Sequence, residues 1–190
     1  MHAAAGGVGI AAVQFAKAAG AEVHGSASPG KHRKLAELLG VDRAIDHRRD
    51  RWCQGLGRYD LVLDALGGTS LRRSYELLRP GGRLVGYGVS AIQQGERRSL
   101  RKVAAHALSM LRGFNLLTQL EGSKALIGLN MSRLWDDRGT LEPWITPLSQ
   151  ALHDGTISPI VHAAVPFAEA PKAHRILAAR EHLAKVLLVL

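Results

Sequence analysis

The sequence predicts an α/β fold organised around a doubly wound parallel sheet, and three observations predict it. A glycine-rich turn, a helix and a short buried strand follow one another from Ala3 to Ala27 (AAAGGVGIAAVQFAKAAGAEVHGSA). Strand and helix patterns then alternate as far as Ser90, as helices crossing over the faces of a parallel sheet require. Tyr59 to Leu66 (YDLVLDAL) is a near-continuous apolar run, the mark of a strand covered on both faces.

Ala4, Gly6 and Gly9 occupy the three positions of a G-x-G-x-x-G fingerprint, with alanine in the first place and Gly7 added inside it. Each position has a steric job: a tight turn, a backbone approach to a diphosphate, and a near contact between helix and strand. The helix expected over Val8 to Ala19 then turns its free N–H groups, those of Gly7, Val8 and Gly9, toward the phosphates. A dinucleotide fold places an apolar strand just before this turn, yet only Met1 and His2 precede the alanines. The first strand is therefore expected to be missing and the chain truncated; a strand supplied from elsewhere in the chain is the alternative.

Ala21 to Ala27 reads as the next strand, after a stop at Gly20. An enzyme that uses NAD carries an Asp or Glu there, roughly twenty residues after the glycines, to hold the ribose 2′-hydroxyl. Here Ser26 is followed by Ala27, Ser28, Pro29, Gly30, Lys31, His32, Arg33 and Lys34, with no carboxylate until Glu37. A carboxylate would repel a 2′-phosphate, whereas hydroxyls and cations bind it. Ser26 and Lys31 thus favour NADP over NAD, although basic residues that merely open an exposed helix stay open as an alternative.

Lys34 to Leu39 completes the next helix, Gly40 stops it, and Arg43 to His47 reads as a third strand. After the strand Tyr59 to Leu66, Thr69 is expected to cap a helix over Leu71 to Arg79 that ends at Pro80. Gly82 to Val89 is a further strand, whose end at Gly86, Tyr87 and Gly88 would bring bare backbone close to a ligand. Ala91 to Asn115 is helical in spacing, with Met110, Leu111 and Phe114 on an apolar face. Beyond it a strand is expected over Ala125 to Asn130, and one helix over Arg138 to His153 interrupted by Pro143 and Pro147. Ile157 to Pro166 and Lys185 to Leu190 read as strands flanking a helix over Ala168 to Arg180.

Composition bounds the function. A chain of 190 residues that is 46% hydrophobic has enough material for one good core. No apolar run approaches the ~18 residues of a membrane span and no charged-then-apolar leader opens the chain, so a soluble, cytoplasmic protein without a membrane partner is expected. The formal charge of +9 is scattered, without aromatic interleaving, which argues against nucleic acid. Cys53 is the only cysteine, so no disulfide within the chain and no C-x-x-C zinc clip can form. The nine histidines have no zinc-site spacing. Tyr59, Tyr75 and Tyr87 are followed four residues on by Leu63, Arg79 and Ala91, not by the lysine of a short-chain dehydrogenase; Gly30-Lys31-His32 lacks the hydroxyl of a phosphate-binding P-loop.

The stretches HAAAGGVGIAAVQFAKAAGAEVHGSASPGKHRKLAELLGVDRAIDH, YDLVLDALGG and LRPGGRLVGYG, in that order, resemble the medium-chain dehydrogenase/reductases, specifically the zinc-independent quinone oxidoreductase branch and its vesicle-protein-type relatives. The resemblance implies a Rossmann-like NADPH-binding domain over residues 1–155, with a helical insertion at about 91–123. It further implies a segment, 156–190, that rejoins a GroES-like catalytic domain absent from this sequence. By position it assigns Lys31 or His32, His47 and Arg180 to the 2′-phosphate, and Asn130 and Met131 to the neighbourhood of the nicotinamide. No catalytic residue is implied within the chain, since hydride chemistry belongs to the coenzyme. The implied activity is NADPH-dependent reduction of a small quinone, enone or similar conjugated carbonyl, with a homodimer possible. A non-catalytic nucleotide-binding or scaffolding module and an inactive fragment remain open beside it.

Overall fold

The computed structural model describes residues 1–88, 114–179 and 182–190. Its Cα packing divides into two compact units: one of Met1, Ala3–Arg48 and Glu142–Leu190, the other of His2 and Arg49–Leu141. All strand pairings among the described residues are parallel, as the alternating pattern predicts.

In the first unit, helix α1 (Gly7–Ala18) ends ahead of Gly20, whose φ of +74° suits glycine alone. Strand β1 (His24–Ser26) pairs with β2 (Arg43–Ile45) through α2 (His32–Leu39). Helix α2 buries Leu35 and Leu39, one turn apart, and closes on Gly40 in the left-handed region. Both strands are shorter than the sequence pattern suggests, and Met1 to Ala5 form no strand of their own. Met1 O accepts from Ser26 N–H and Ala4 N–H donates to Ser26 O, so the start of the chain runs beside β1. The core gathers Ala4, Ile10, Val13, Leu35, Val41 and, from the far end of the chain, Leu183 and Ala184.

The other elements of this unit are a helix at Glu142–His153, a strand at Val161–Pro166, a helix at Ala170–Ala179 and a strand at Lys185–Val189. The two strands pair in parallel. Val161, Leu187, Leu188 and Val189 stay more than two-fifths exposed.

In the second unit, β3 (Tyr59–Asp64), α3 (Thr69–Glu76), β4 (Leu78–Gly86), α4 (Leu116–Gly122), β5 (Ala125–Gly128) and α5 (Met131–Arg138) follow in chain order, with sheet order β3-β4-β5. The core is Val62, Leu71, Tyr75, Leu78 and Leu84. Several expectations are corrected. Leu61 is 52% exposed, so β3 is covered on both faces only toward its end. Thr69 makes no cap; Gly68 holds that position without a side-chain bond, and Asp64 ties the turn instead. Helix α3 stops at Glu76, and Arg79 and Pro80 belong to β4, whose register against β3 shifts between Tyr59 and Leu61. That irregularity has a backbone cause: Gly81 takes φ +80°, and a Cβ on Gly82 would stand 2.8 Å from both Arg79 O and Tyr59 O. The helix expected over Arg138 to His153 begins only at Glu142 and runs on through Pro147, while Arg138 belongs to α5. Gly139, at φ +65°, closes α5, and the helix Glu142–His153 starts afresh with Pro143 in its first turn, where a missing N–H costs nothing. The insertion up to residue 113, with Met110 and Leu111, the end of the strand expected to reach Val89, and Arg180 lie outside the described residues.

Candidate functional site

The turn Ala3–Gly6 is closed by Gly6 N–H donating to Ala3 O at 2.9 Å, with Ala3 itself in the left-handed region at φ +50°. Helix α1 begins on it without a side-chain cap and without an acidic residue in its first turn. Its first ladder bond is Ile10 N–H to Gly6 O, at 2.9 Å. The N–H groups of Gly7, Val8 and Gly9 therefore precede the helical ladder and carry the positive end of the macrodipole. Gly9 is buried and Val8 is 58% exposed, so this helix end is anchored on one side and open on the other. A Cβ on Gly9 would overlap Ala3 O and stand 2.7 Å from Ala4 Cα. Only glycine permits that approach, and Ala4 behind it is wholly buried. A Cβ on Gly25 of β1 would in turn lie 2.9 Å from Ala4 Cβ, so small residues are required on both sides.

The strand Lys185–Val189 contributes a residue that sequence reasoning missed. Ala184 N–H donates to Ala5 O at 2.8 Å and Gly6 bridges Ala184 in parallel. Lys185 is thereby set over the glycine turn: a Cβ on Gly7 would stand 2.6 Å from its Nζ. The only sequence signal is a lysine opening the apolar run KVLLVL. A cation beside unpaired helix N–H groups fits a diphosphate, whose charge both attract.

At the end of β1, Ser26 is 2% exposed, with its N–H and C=O spent on Met1 and Ala4. It serves as strand backbone rather than as a surface hydroxyl. Lys31 closes the 3₁₀ turn Pro29–Lys31, and its Nζ donates to His182 O at 2.6 Å. His32 Nε2 lies 3.0 Å from Ala27 O, closing the same loop from inside. His47 is half-buried two residues beyond β2. The His182 ring stands with His162 at a centroid separation of 6.4 Å. Burial lowers its pKa; the contact with Ile176 O works the other way, and the charges of Lys31 and His162 add to the lowering. The structure thus brings Ala4, Gly6, Gly7, Val8, Gly9, Ser26 and Lys31 into one unit, with the segment His182–Lys185 laced across them.

In the second unit, Gly86 O accepts from Leu129 N–H at 2.9 Å, and a Cβ on Gly86 would meet Leu71 Cδ1 at 3.3 Å. Tyr87 N–H donates to Asp64 O, and burial, reinforced by the Asp64 charge, pushes the Tyr87 phenol up to about 12. The bare backbone expected to face a ligand at Gly88 approaches its own chain, since a Cβ there would stand 3.0 Å from Ala65 O. Asn130 caps α5, its side chain accepting from Ser132 N–H at 3.0 Å.

Asp64 is the other residue missed. Its fully buried carboxylate accepts from Leu66 N–H (2.7 Å), Gly67 N–H (2.9 Å), Ser70 Oγ (3.1 Å) and Ser74 Oγ (3.1 Å). His2 Nε2 lies 2.9 Å from Ser74 Oγ and 3.8 Å from the carboxylate, with its ring edge-on to Trp52. An acid at the end of an apolar strand is the available signal: such a group is tolerated only when its lone pairs are filled.

Among the described residues no three His, Cys, Asp or Glu side chains stand together as a metal site. No helix among them is long and apolar enough to cross a membrane.

Residues 7–129 match the family described as zinc-binding dehydrogenase. Over its whole length the chain is 30% identical to the synaptic vesicle membrane protein VAT-1 homolog of Rattus norvegicus, covering 48% of that protein. It is 33% identical, over 99% of its length, to 3% of polyketide synthase GfsB of Streptomyces halstedii. The quinone oxidoreductase of Thermus thermophilus, solved also with NADPH, superposes on 99% of the chain with a TM-score of 0.69 at 29% identity, 56% of that protein being covered. The chain spans about half the length of its VAT-1 homologs and less of the polyketide synthase.

Proposed function

The chain belongs to the zinc-binding dehydrogenase family of oxidoreductases, in the quinone-oxidoreductase-like branch of the medium-chain dehydrogenase/reductases, and on that premise we propose that it is the coenzyme-binding part of an NADPH-dependent reductase. The observation that carries the reading is the glycine turn at Gly6–Gly9, with its N–H groups ahead of the helical ladder, no acid in the first turn of α1 and none at the end of β1.

When bound, the coenzyme supplies a hydride to a quinone, enone or similar conjugated carbonyl. The chain's own residues hold and aim it. The N–H groups of Gly7, Val8 and Gly9, with Lys185 over Gly7, receive the diphosphate. Lys31 meets the 2′-phosphate, with His47 and Arg180 assigned there by family position; Asn130 lies near the nicotinamide by the same analogy, and Gly86 and Tyr87 belong to the cofactor-binding set as backbone at the end of β4. Tyr87, with its phenol pushed up to about 12, stays a neutral hydrogen-bond donor through the physiological range. Residues 1–155 form the coenzyme domain in this reading, and 156–190 rejoin a catalytic domain. The exposed Val161, Leu187, Leu188 and Val189 support the second part, being apolar surface that wants a cover.

Titration of NADPH fluorescence with the purified chain tests the binding, with NADH alongside. NADPH is expected to bind at least tenfold more tightly. Equal affinities overturn the NADP assignment, and no binding of either overturns the reading. Oxidation of NADPH with a quinone or enone acceptor then separates a reductase from a module that binds without turnover.

A further inference from the structure

Three groups that ordinarily carry or acquire positive charge converge in the first unit. Lys31 Nζ donates to His182 O at 2.6 Å, the His162 and His182 rings stand 6.4 Å apart, and Leu183 N–H points at His162 Nδ1 at 3.5 Å. The loop that carries Lys31 is the one that follows β1, where this fold holds the adenosine ribose. The segment that carries His182 continues directly into the Ala184–Gly6 bridge.

From this juxtaposition we infer that His162 and His182, with Lys31, form a proton-linked site for the 2′-phosphate, so that discrimination between NADPH and NADH strengthens as the pH falls. The inference rests on the coenzyme reading above. A dianionic phosphate beside two imidazoles favours their protonated forms, in which the ring is a cation and both its nitrogens donate, where a neutral ring offers one N–H and no charge. NADH lacks that phosphate and gains nothing from the protons.

Among the described residues, the surroundings supply little counter-charge. The strand Lys185–Val189 places Lys185 opposite Val161 in register, next to His162. The helix Ala170–Ala179, packed on both strands, carries Lys172, held by Glu169 at 3.0 Å, together with His174 and Arg175. Among the described residues no carboxylate pairs with either ring; Glu181, next to His182 in sequence, lies outside them. His182 is already disfavoured as a cation, first by burial and, against the opposing contact with Ile176 O, by the charges of Lys31 and His162. An arriving anion relieves the charge part of that penalty, so binding takes up protons.

The test measures dissociation constants of NADPH and NADH by fluorescence, on the full chain, from pH 8 to pH 6.5, above the pH of about 6 at which the phosphate itself gains a proton. The ratio is expected to move toward NADPH on the order of tenfold, and the His162→Gln, His182→Gln double variant to flatten it while NADH affinity stays the same. A ratio independent of pH in the unaltered chain overturns the inference and leaves the coenzyme reading standing; no NADPH binding at any pH removes both. If the double variant does not fold, histidine ring NMR on the unaltered chain decides instead. Adenosine 2′-monophosphate should raise two ring pKa values where adenosine 5′-monophosphate does not, and equal response to the two nucleotides overturns the inference.

Discussion

Replacing Gly9 with alanine puts the steric argument to its hardest test. The new Cβ would overlap Ala3 O and stand 2.7 Å from Ala4 Cα and 2.8 Å from Ala4 C. Ordinary carbon contacts begin at about 3.5 Å, so the start of α1 and the turn must part by roughly 0.7 Å or more. All three obstructing atoms are backbone, and no rotamer relieves them. Overpacking of this kind costs about 1 to 3 kcal/mol. On the proposed coenzyme reading, the same displacement carries the N–H groups of Gly7, Val8 and Gly9 off a bound diphosphate. Loss of one hydrogen bond to a charged group is worth about 1.5 to 3 kcal/mol, or on the order of 10- to 100-fold in Kd. Urea unfolding and NADPH titration read the two effects separately. Gly7→Ala is the control, because its Cβ meets only the flexible end of Lys185, and its stability should change less. Should Gly9→Ala keep both the urea midpoint and the Kd of the unaltered chain, the cradle is not what holds the coenzyme.

Lys185→Met should weaken NADPH and NADH alike by about tenfold, since the diphosphate that the coenzyme reading assigns beneath Lys185 is common to both; selective loss of NADPH alone would move this lysine to the 2′-phosphate. Asp64→Asn keeps one acceptor oxygen and turns an amide toward groups that themselves donate, so the unfolding free energy should fall by about 3 kcal/mol, read from the urea midpoint. Asp42 is held below its ordinary value of 3.8 first by the Lys17 ammonium and then by Val23 N–H. A depressed carboxyl contributes stability that is present above its unfolded pKa and lost as the pH falls through the folded one. Thermal melts of the unaltered chain and of Lys17→Met should therefore differ at pH 6 and converge as the pH falls below 3.8.

What is legible in the fold is what short segments decide alone. The stops at Gly20 and Gly40 follow from positive φ that glycine alone takes without strain, and the strands expected around β1, β3 and β5 stand in place though shorter. The errors arise where two local signals compete. In LRPGGR the proline reads as a helix stop, yet the two glycines let the chain bulge and join β4 from Leu78, so the helix has ended earlier, at Glu76. Between Arg138 and His153 the prolines are the conspicuous breakers, while Gly139 in the left-handed region does the breaking.

The site divides the same way. The Gly6–Gly9 turn is legible because its close contacts, to Ala3 and Ala4, lie within six residues. Lys185 and His182 are not, because the bond from Lys31 to His182 O spans 151 residues, and no pattern in either segment names the other. Asp64 falls between: its donor partners Leu66, Gly67, Ser70 and Ser74 are local and can be proposed from DALGGTSLRRS, whereas His2 lies 72 residues from Ser74. Backbone groups and buried polar atoms at strand ends must be satisfied within a few residues or by a distant segment. The first kind can be read in advance; the second is where a folded chain places its unannounced charges. In the first unit that distant segment is His182–Lys185: the His182 carbonyl holds the Lys31 ammonium and the Lys185 side chain stands over Gly7, so both cations are positioned where the coenzyme reading requires positive charge.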